Sequence, residues 1–210
     1  MMQHHISGKS ILLSYTTPQG AELINQMVEQ YGISLIIKKD RLTKLGDYSH
    51  PIPSRPFHQI TLNGTLNRYA FIITFIHEVA HLTNWNKHKR SVSPHGIEWK
   101  IEYFYLLSSV IPTEIFPEDI REVLHLHCKN IKSSSMSDLK LMKVLNKYTE
   151  NYEEVITVSD IVEGDLFEYK QKKFVRGEKV RTRIKCQCIT DKKTYVFHQL
   201  APVELLINEN

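Results

Sequence analysis

Hydrophobic and polar positions along the chain change period several times, and each change marks an element. Residues 18–31 (PQGAELINQMVEQY) place apolar side chains at 21, 23, 24, 27, 28 and 31, the spacing of one helix face. ISLIIKK (33–39) is a β-branched apolar run and predicts a strand. RLTKLGDYS (41–49) predicts a second strand turning at Gly46-Asp47, and SHPIPSRP (49–56) predicts a loop, with prolines at 51, 53 and 56. FHQITLN (57–63) alternates as a third strand should. The stretch 67–85 (NRYAFIITFIHEVAHLTNW) is helical and apolar nearly all round, which predicts a helix inside the domain. Ser93 and Pro94 read as N-cap and first residue of the next helix, 95–110, which Pro112 stops. Helices are also expected over 117–129 and 138–148, separated by the polar linker KSSSMSD (132–138).

The character changes near residue 155. VITVSDIV, GDLFEYK, KFVRGEKVRTRIKCQCIT, KTYVFHQL and APVELL are short β-type runs separated by turn signals. About 50 residues holding four or five strands fit a small SH3-like barrel. The expected fold class is therefore α+β: a core over 1–130 with a small antiparallel sheet before the apolar helix, a helical connector over 131–154, and a β domain over 155–210.

Composition narrows the class. The chain has 210 residues, 41% hydrophobic and 24% charged, as ordinary globular proteins do. No apolar run approaches the roughly 18 residues a bilayer span needs. The N-terminus does not read as a secretory signal, and three cysteines (Cys128, Cys186, Cys188) do not make a disulfide framework. A cytoplasmic location without membrane contact is the expectation. Net charge is +4, which permits nucleic-acid contact without requiring it.

The chemistry concentrates in FIHEVAHLTNW (75–85). His77 and His81 are four apart, so on a helix both imidazoles lie on one face and can share a metal ion. Glu78 is displaced by about 100° of helix rotation, away from the two ligand positions but within reach of a water on the metal's open site. Two histidines, a third protein ligand and a carboxylate base are the parts of a hydrolytic zinc site. A bare HExxH fixes only three positions and arises by chance. In so apolar a helix, however, two imidazoles and a carboxylate would be costly to bury without a metal. His95 is the preferred third ligand, because the loop before it can bring its helix back onto the first; Glu98 and Glu102 are the rivals. The remaining histidines read as bland: His4 and His5 near the terminus, His88 in a basic loop, His125 and His127 on different helix faces, His58 and His198 alone in strands. Cys128 shows no activating neighbour beyond His125 and His127.

IHEVAHL (76–82) followed by HGIEWK (95–100) resembles the SprT-like (Spartan-related) family of zinc metallopeptidases, over about residues 18–130. HGIEWK is similar to that family's His-Gly-x-x-Phe/Trp-Lys element, and LTKLGDYS then HQITLN look like its sheet before the active-site helix. The resemblance implies a zincin-like core and one catalytic Zn²⁺ on His77, His81 and His95, with Glu78 as base. Its implied substrates are proteins, including DNA-bound or DNA-crosslinked ones. The chain departs from the family pattern at its end. Cys186 and Cys188 are one residue apart and no four-cysteine zinc ribbon can be assembled, so no second, structural zinc is expected.

The tail suggests one further site. In KVRTRIKCQC (179–188), strand alternation places Arg181, Arg183 and Lys185 on one face, with Arg176 and Lys179 near the turn, a row able to track a phosphate backbone. Phe167, Tyr169, Phe174, Tyr195 and Phe197 could stack on bases or form a barrel core. Two other functions compete with a DNA-linked protease: a zinc-binding adaptor without activity, and a general peptidase with no connection to DNA.

Overall fold

The computed structural model describes residues 9–39, 44–132 and 138–206. It is a mixed α+β structure in two compact units, 1–150 and 151–210. His4 and His5, the first residues of the expected second strand (41–43) and most of the 132–138 linker lie outside the described residues.

The first unit opens with a short helix α1 (Lys9–Leu12) and then α2 (Pro18–Tyr31). Thr17 caps α2, its hydroxyl accepting from the Gly20 amide at 3.1 Å, and Pro18 supplies a pre-set first turn. Gly32, at φ +60°, ends the helix in the left-handed conformation that glycine adopts without penalty. The chain passes directly into β1 (Ile33–Lys38), then β2 (Gly46–Ser49) and β3 (His58–Asn63).

These strands form one sheet in the order β1-β3-β2. β2 pairs antiparallel with β3, but β1 pairs with β3 in parallel, Leu35 beside Ile60 and Ile37 beside Leu62. The expected antiparallel sheet is thus corrected to a mixed one. After β1 the chain reverses into β2 without pairing to it, and β3 inserts between the two. A further consequence concerns FHQITLN. As the central strand, β3 is paired on both sides; the edge strands are β1 and β2. The strand also starts where Gly46-Asp47 was read as a turn.

Helix α3 (Arg68–His88) is capped by Asn67, whose side-chain oxygen accepts from the Tyr69 and Ala70 amides. Its all-round apolarity has a direct cause, because it has hydrophobic neighbours on two sides. Phe71, Phe75, Val79 and Leu82 pack with sheet residues Leu35, Ile60 and Leu62. Ile72, Ile73, Ile76 and Ala80 pack with the helices that follow. Those are α4 (Ile97–Val110), α5 (Glu118–Lys129) and α6 (Leu139–Asn146). Leu141 and Leu145 of α6 share the core of Ile120 and Leu124 from α5, so the helix of the expected connector packs within the first unit. The start of α4 differs from expectation. Gly96 is its N-cap, and Ser93–Gly96 is a turn closed by Gly96 N–H donating to Ser93 C=O at 3.0 Å.

The second unit is a five-stranded antiparallel sheet: β4 (Leu166–Tyr169), β5 (Lys172–Val180), β6 (Arg183–Cys188), β7 (Thr194–His198) and β8 (Glu204–Leu205), in the order β7-β6-β5-β4-β8. Its core contains Phe167, Phe174, Ile184, Cys186, Cys188 and Phe197. VITVSDIV does not form a strand. Asp160 accepts from the Thr157 amide at 3.0 Å and tightens a turn there, leaving one bridge from Thr157 to Pro202.

Candidate metal centre

Helix α3 presents His77, His81 and Trp85 at successive turns, and the turn before α4 presents His95. Packing of α4 against α3 brings the three imidazoles together. One ligand-capable nitrogen from each lies within 4.8 Å of the others. Ring centroids are 5.0 Å apart for His77 and His81, 5.4 Å for His77 and His95, and 4.7 Å for His81 and His95. The Nε2 atoms of His81 and His95 face each other at 3.1 Å. Two ligand nitrogens at roughly 2.0–2.1 Å from a tetrahedral zinc would be about 3.3 Å apart, so this spacing suits a shared ion.

Trp99, one turn after His95 and completely buried, backs all three imidazoles, at 4.6 Å from His77, 5.2 Å from His81 and 4.8 Å from His95. Tyr103, a turn further, stacks on Trp99 at 5.1 Å and meets the His77 ring edge-on at 5.5 Å. Burial holds the imidazole pKa values down, to about 3 for His77 and about 4 for His81, and neighbouring imidazoles press in the same direction. Burial lowers His95 too, although it is the most open of the three. Asp47 opposes the shift at His81. The environment therefore favours neutral imidazole, the form that binds a metal.

Glu78 is buried, with 6% of its surface exposed. Its side chain lies against Gly46 of β2. A β-carbon at Gly46 would come within 2.5 Å of Glu78 Oε1 and 2.8 Å of the Thr74 methyl. The edge strand thus passes directly over the carboxylate, and only glycine allows that approach. The rival ligands are occupied elsewhere or apart: Glu102 pairs with Lys87 at 2.6 Å, and neither Glu98 nor Glu102 joins the histidine group. Tyr103 is a core residue, whereas Tyr105 is 67% exposed.

Sequence reasoning missed three supports of this site. Gly46 signalled only a turn, though a glycine inside a strand also marks close backbone approach. Trp99 looked like part of a motif rather than the common backing of three rings. His58 reads in the sequence as a lone strand histidine, and His50 carries no local signal. His58 bonds the Tyr48 hydroxyl through Nδ1 at 2.9 Å, and both imidazoles contact Trp85. His127 is buried with Nδ1 2.8 Å from Asp138 Oδ2. Burial raises the Cys128 thiol to about 11, the opposite of an activated nucleophile.

No family model, curated protein or solved structure matches this chain.

In the second unit the strand alternation holds over Arg183–Cys188. Arg183, Lys185 and Gln187 are exposed; Ile184, Cys186 and Cys188 are buried. Arg181 is not part of that row, because it sits at φ +53° in the turn between β5 and β6. Lys179 is exposed on β5, beyond an irregularity in the pairing after Arg176. Glu178 pairs with Lys185 at 2.7 Å, and Glu163 lies 4.0 Å from Arg176. Phe167, Phe174 and Phe197 are core residues packed on one another, so base stacking by those rings is excluded. Among the described residues no helix is long and apolar enough to cross a membrane.

Proposed function

We propose that this chain is a zinc-dependent metallopeptidase of SprT-like type. The observation that carries the proposal is the convergence of His77, His81 and His95 beside a buried Glu78. A set of three imidazoles suits zinc, and a three-ligand set leaves a coordination position for water or substrate. In this reading the first unit is a zincin-like core and the second an SH3-like accessory domain.

His77, His81 and His95 would hold the ion. The chemistry such an ion would supply when bound is Lewis acidity, toward a peptide carbonyl and toward a water whose pKa would fall to about 7. Glu78 takes a proton from the attacking water at its carboxylate and returns it to the leaving amine. Gly46 lets the edge strand β2 pass close to that carboxylate. Among the described residues the outer edge of β2 has no strand partner, and an extended substrate would pair there through its main chain. Trp99 and Tyr103 fix the ligand rings and exclude water behind them. DNA-bound proteins are the substrate class the family resemblance suggests, with Lys179, Arg183 and Lys185 as the cations that would meet DNA.

The test is cleavage of a DNA-binding protein by zinc-loaded chain, with and without single-stranded DNA, against Glu78→Gln. Loss of a general base lowers turnover by about 10²–10⁴-fold. Glu78→Gln is expected to lose hydrolysis to that extent while retaining zinc by elemental analysis. Normal turnover in that variant would refute the base assignment. Cleavage that is indifferent to DNA would leave a general peptidase, and zinc binding without any cleavage would favour an adaptor.

A further inference from the structure

A second cluster lies beside the candidate metal centre, where the end of β2 meets the last turns of α3. His50 stacks on Trp85 at 5.3 Å, with an angle of 22° between the rings. Lys89 lies over the Trp85 ring with Nζ 3.9 Å from the centroid. Arg90 donates to His50 Nε2 at 3.2 Å, while His50 Nδ1 and the Pro51 carbonyl are 3.0 Å apart. Arg55 donates to the His50 carbonyl. Three cations therefore converge around one imidazole and one indole. Among the described residues no carboxylate pairs with Arg55, Lys89 or Arg90. The nearby His58 imidazole is held below its usual range, by burial first and then by Lys89, Arg55 and His50. Uncompensated positive charge gathered this way attracts an anionic group.

The position identifies which anion. β2 runs alongside α3, with Gly46 over Thr74 and Glu78 and His50 over Trp85. At about 3.3 Å per residue, His50 lies roughly 13 Å along the strand from Gly46. A peptide paired on the free edge of β2 would thus carry a side chain to the cations about four residues from the bond facing Glu78. The Trp85 ring is already engaged, stacked with His50 and met by the Lys89 ammonium, so the cluster presents cations rather than an open aromatic platform.

We infer that Arg55, Lys89 and Arg90 form a subsite for an acidic side chain of a peptide substrate, about four residues from the scissile bond. This inference rests on the metallopeptidase reading for its register, and its test separates the two.

The full chain carrying Glu78→Gln, loaded with zinc, is titrated into fluorescein-labelled extended peptides. One series carries Glu at three to five positions from the centre, on either side; the matched series carries Gln. Exposed charge pairs are individually weak, so three together should favour the Glu peptide by roughly five-fold at low salt. The preference should vanish in 0.5 M salt, on the order of a 4 Å screening length. It should also vanish in Arg55→Gln/Lys89→Gln/Arg90→Gln. Lys89→Glu/Arg90→Glu alters only exposed side chains and should reverse the preference toward Lys peptides. Equal binding of Glu and Gln peptides, absence of binding, or a preference that survives the triple substitution overturns the subsite. A dT₁₅ oligonucleotide bound through these residues, with no Glu preference, also overturns it and assigns the cluster to nucleic-acid phosphates. Wild-type chain that keeps the Glu preference but hydrolyses no peptide would sustain the subsite and refute the protease.

Discussion

At the residue scale, the site depends as much on absent atoms as on present ones. Glu78 has room beside β2 because Gly46 has no β-carbon, and the local φ is not in the left-handed region, so the constraint is steric. Gly46→Ala would force its methyl into Glu78 Oε1 or push β2 outward. Overpacking of this kind costs about 1–3 kcal/mol, and a carboxylate displaced by about 1 Å costs on the order of 10²-fold in rate. The expected result is a lowered kcat/KM and a reduced Tm with zinc content unchanged; a variant as active as wild type would remove β2 from the catalytic geometry. The histidines and the glutamate were legible in the sequence because HExxH spacing is a property of one helix. The glycine that seats Glu78 was not, since its partner lies 32 residues away and no local rule connects them.

At the element scale, α3 explains both what was readable and what was not. Its uniform apolarity correctly announces a helix with neighbours all round, and the structure supplies them as a sheet on one side and three helices on the other. The strand pairing was not readable. Parallel and antiparallel partners impose the same alternation on β3, so the pattern cannot distinguish a mixed sheet from an antiparallel one. Asp138 shows the same limit between helices. It reads as an N-cap of α6, and its Oδ1 accepts from the Leu141 amide at 3.2 Å, but its Oδ2 also holds buried His127 on α5. Asp138→Ala removes both contacts. A lost cap costs about 1 kcal/mol, and a buried donor left unpaired about 1–3 kcal/mol more. Urea unfolding should register both together, whereas Asp138→Asn should retain most of the cap. Equal stability of the alanine variant and wild type would show that the α5–α6 clasp contributes nothing.

At the scale of the whole molecule, the division at 150 assigns the candidate metal centre and the β domain to different units. His77, His81 and His95, and among the described residues every member of the two cores that carry them, lie in 1–150. A chain ending at Glu150 is therefore expected to fold and bind about one zinc, as a three-histidine site does. Its circular dichroism should show the helices intact, and under the proposed function it should hydrolyse peptides as the full chain does. If DNA binding depends on Lys179, Arg183 and Lys185, the truncated chain should lose its salt-dependent affinity for duplex and single-stranded DNA. Unchanged affinity would remove the tail from the DNA reading, and a truncated chain that fails to fold would show that the two units depend on each other. Glu178 and Glu163 already moderate that surface, and only the folded β5–β6 pair reveals them as partners of Lys185 and Arg176.

By itself the sequence determined the periodic elements, the change to β structure near 155, and the placing of His77 and His81 on one helix face with Glu78 between them. Each is encoded by spacing along a single segment, where helix and strand geometry translate residue number directly into position. The tertiary structure decided the rest. It brought His95 to 3.1 Å from His81, slid β3 between β1 and β2, laid Gly46 on Glu78, and gathered Arg55, Lys89 and Arg90 around His50 and Trp85. Those contacts join residues far apart in the chain. They arise from how buried faces pack, which depends on the shapes of several elements at once and on no single segment's pattern.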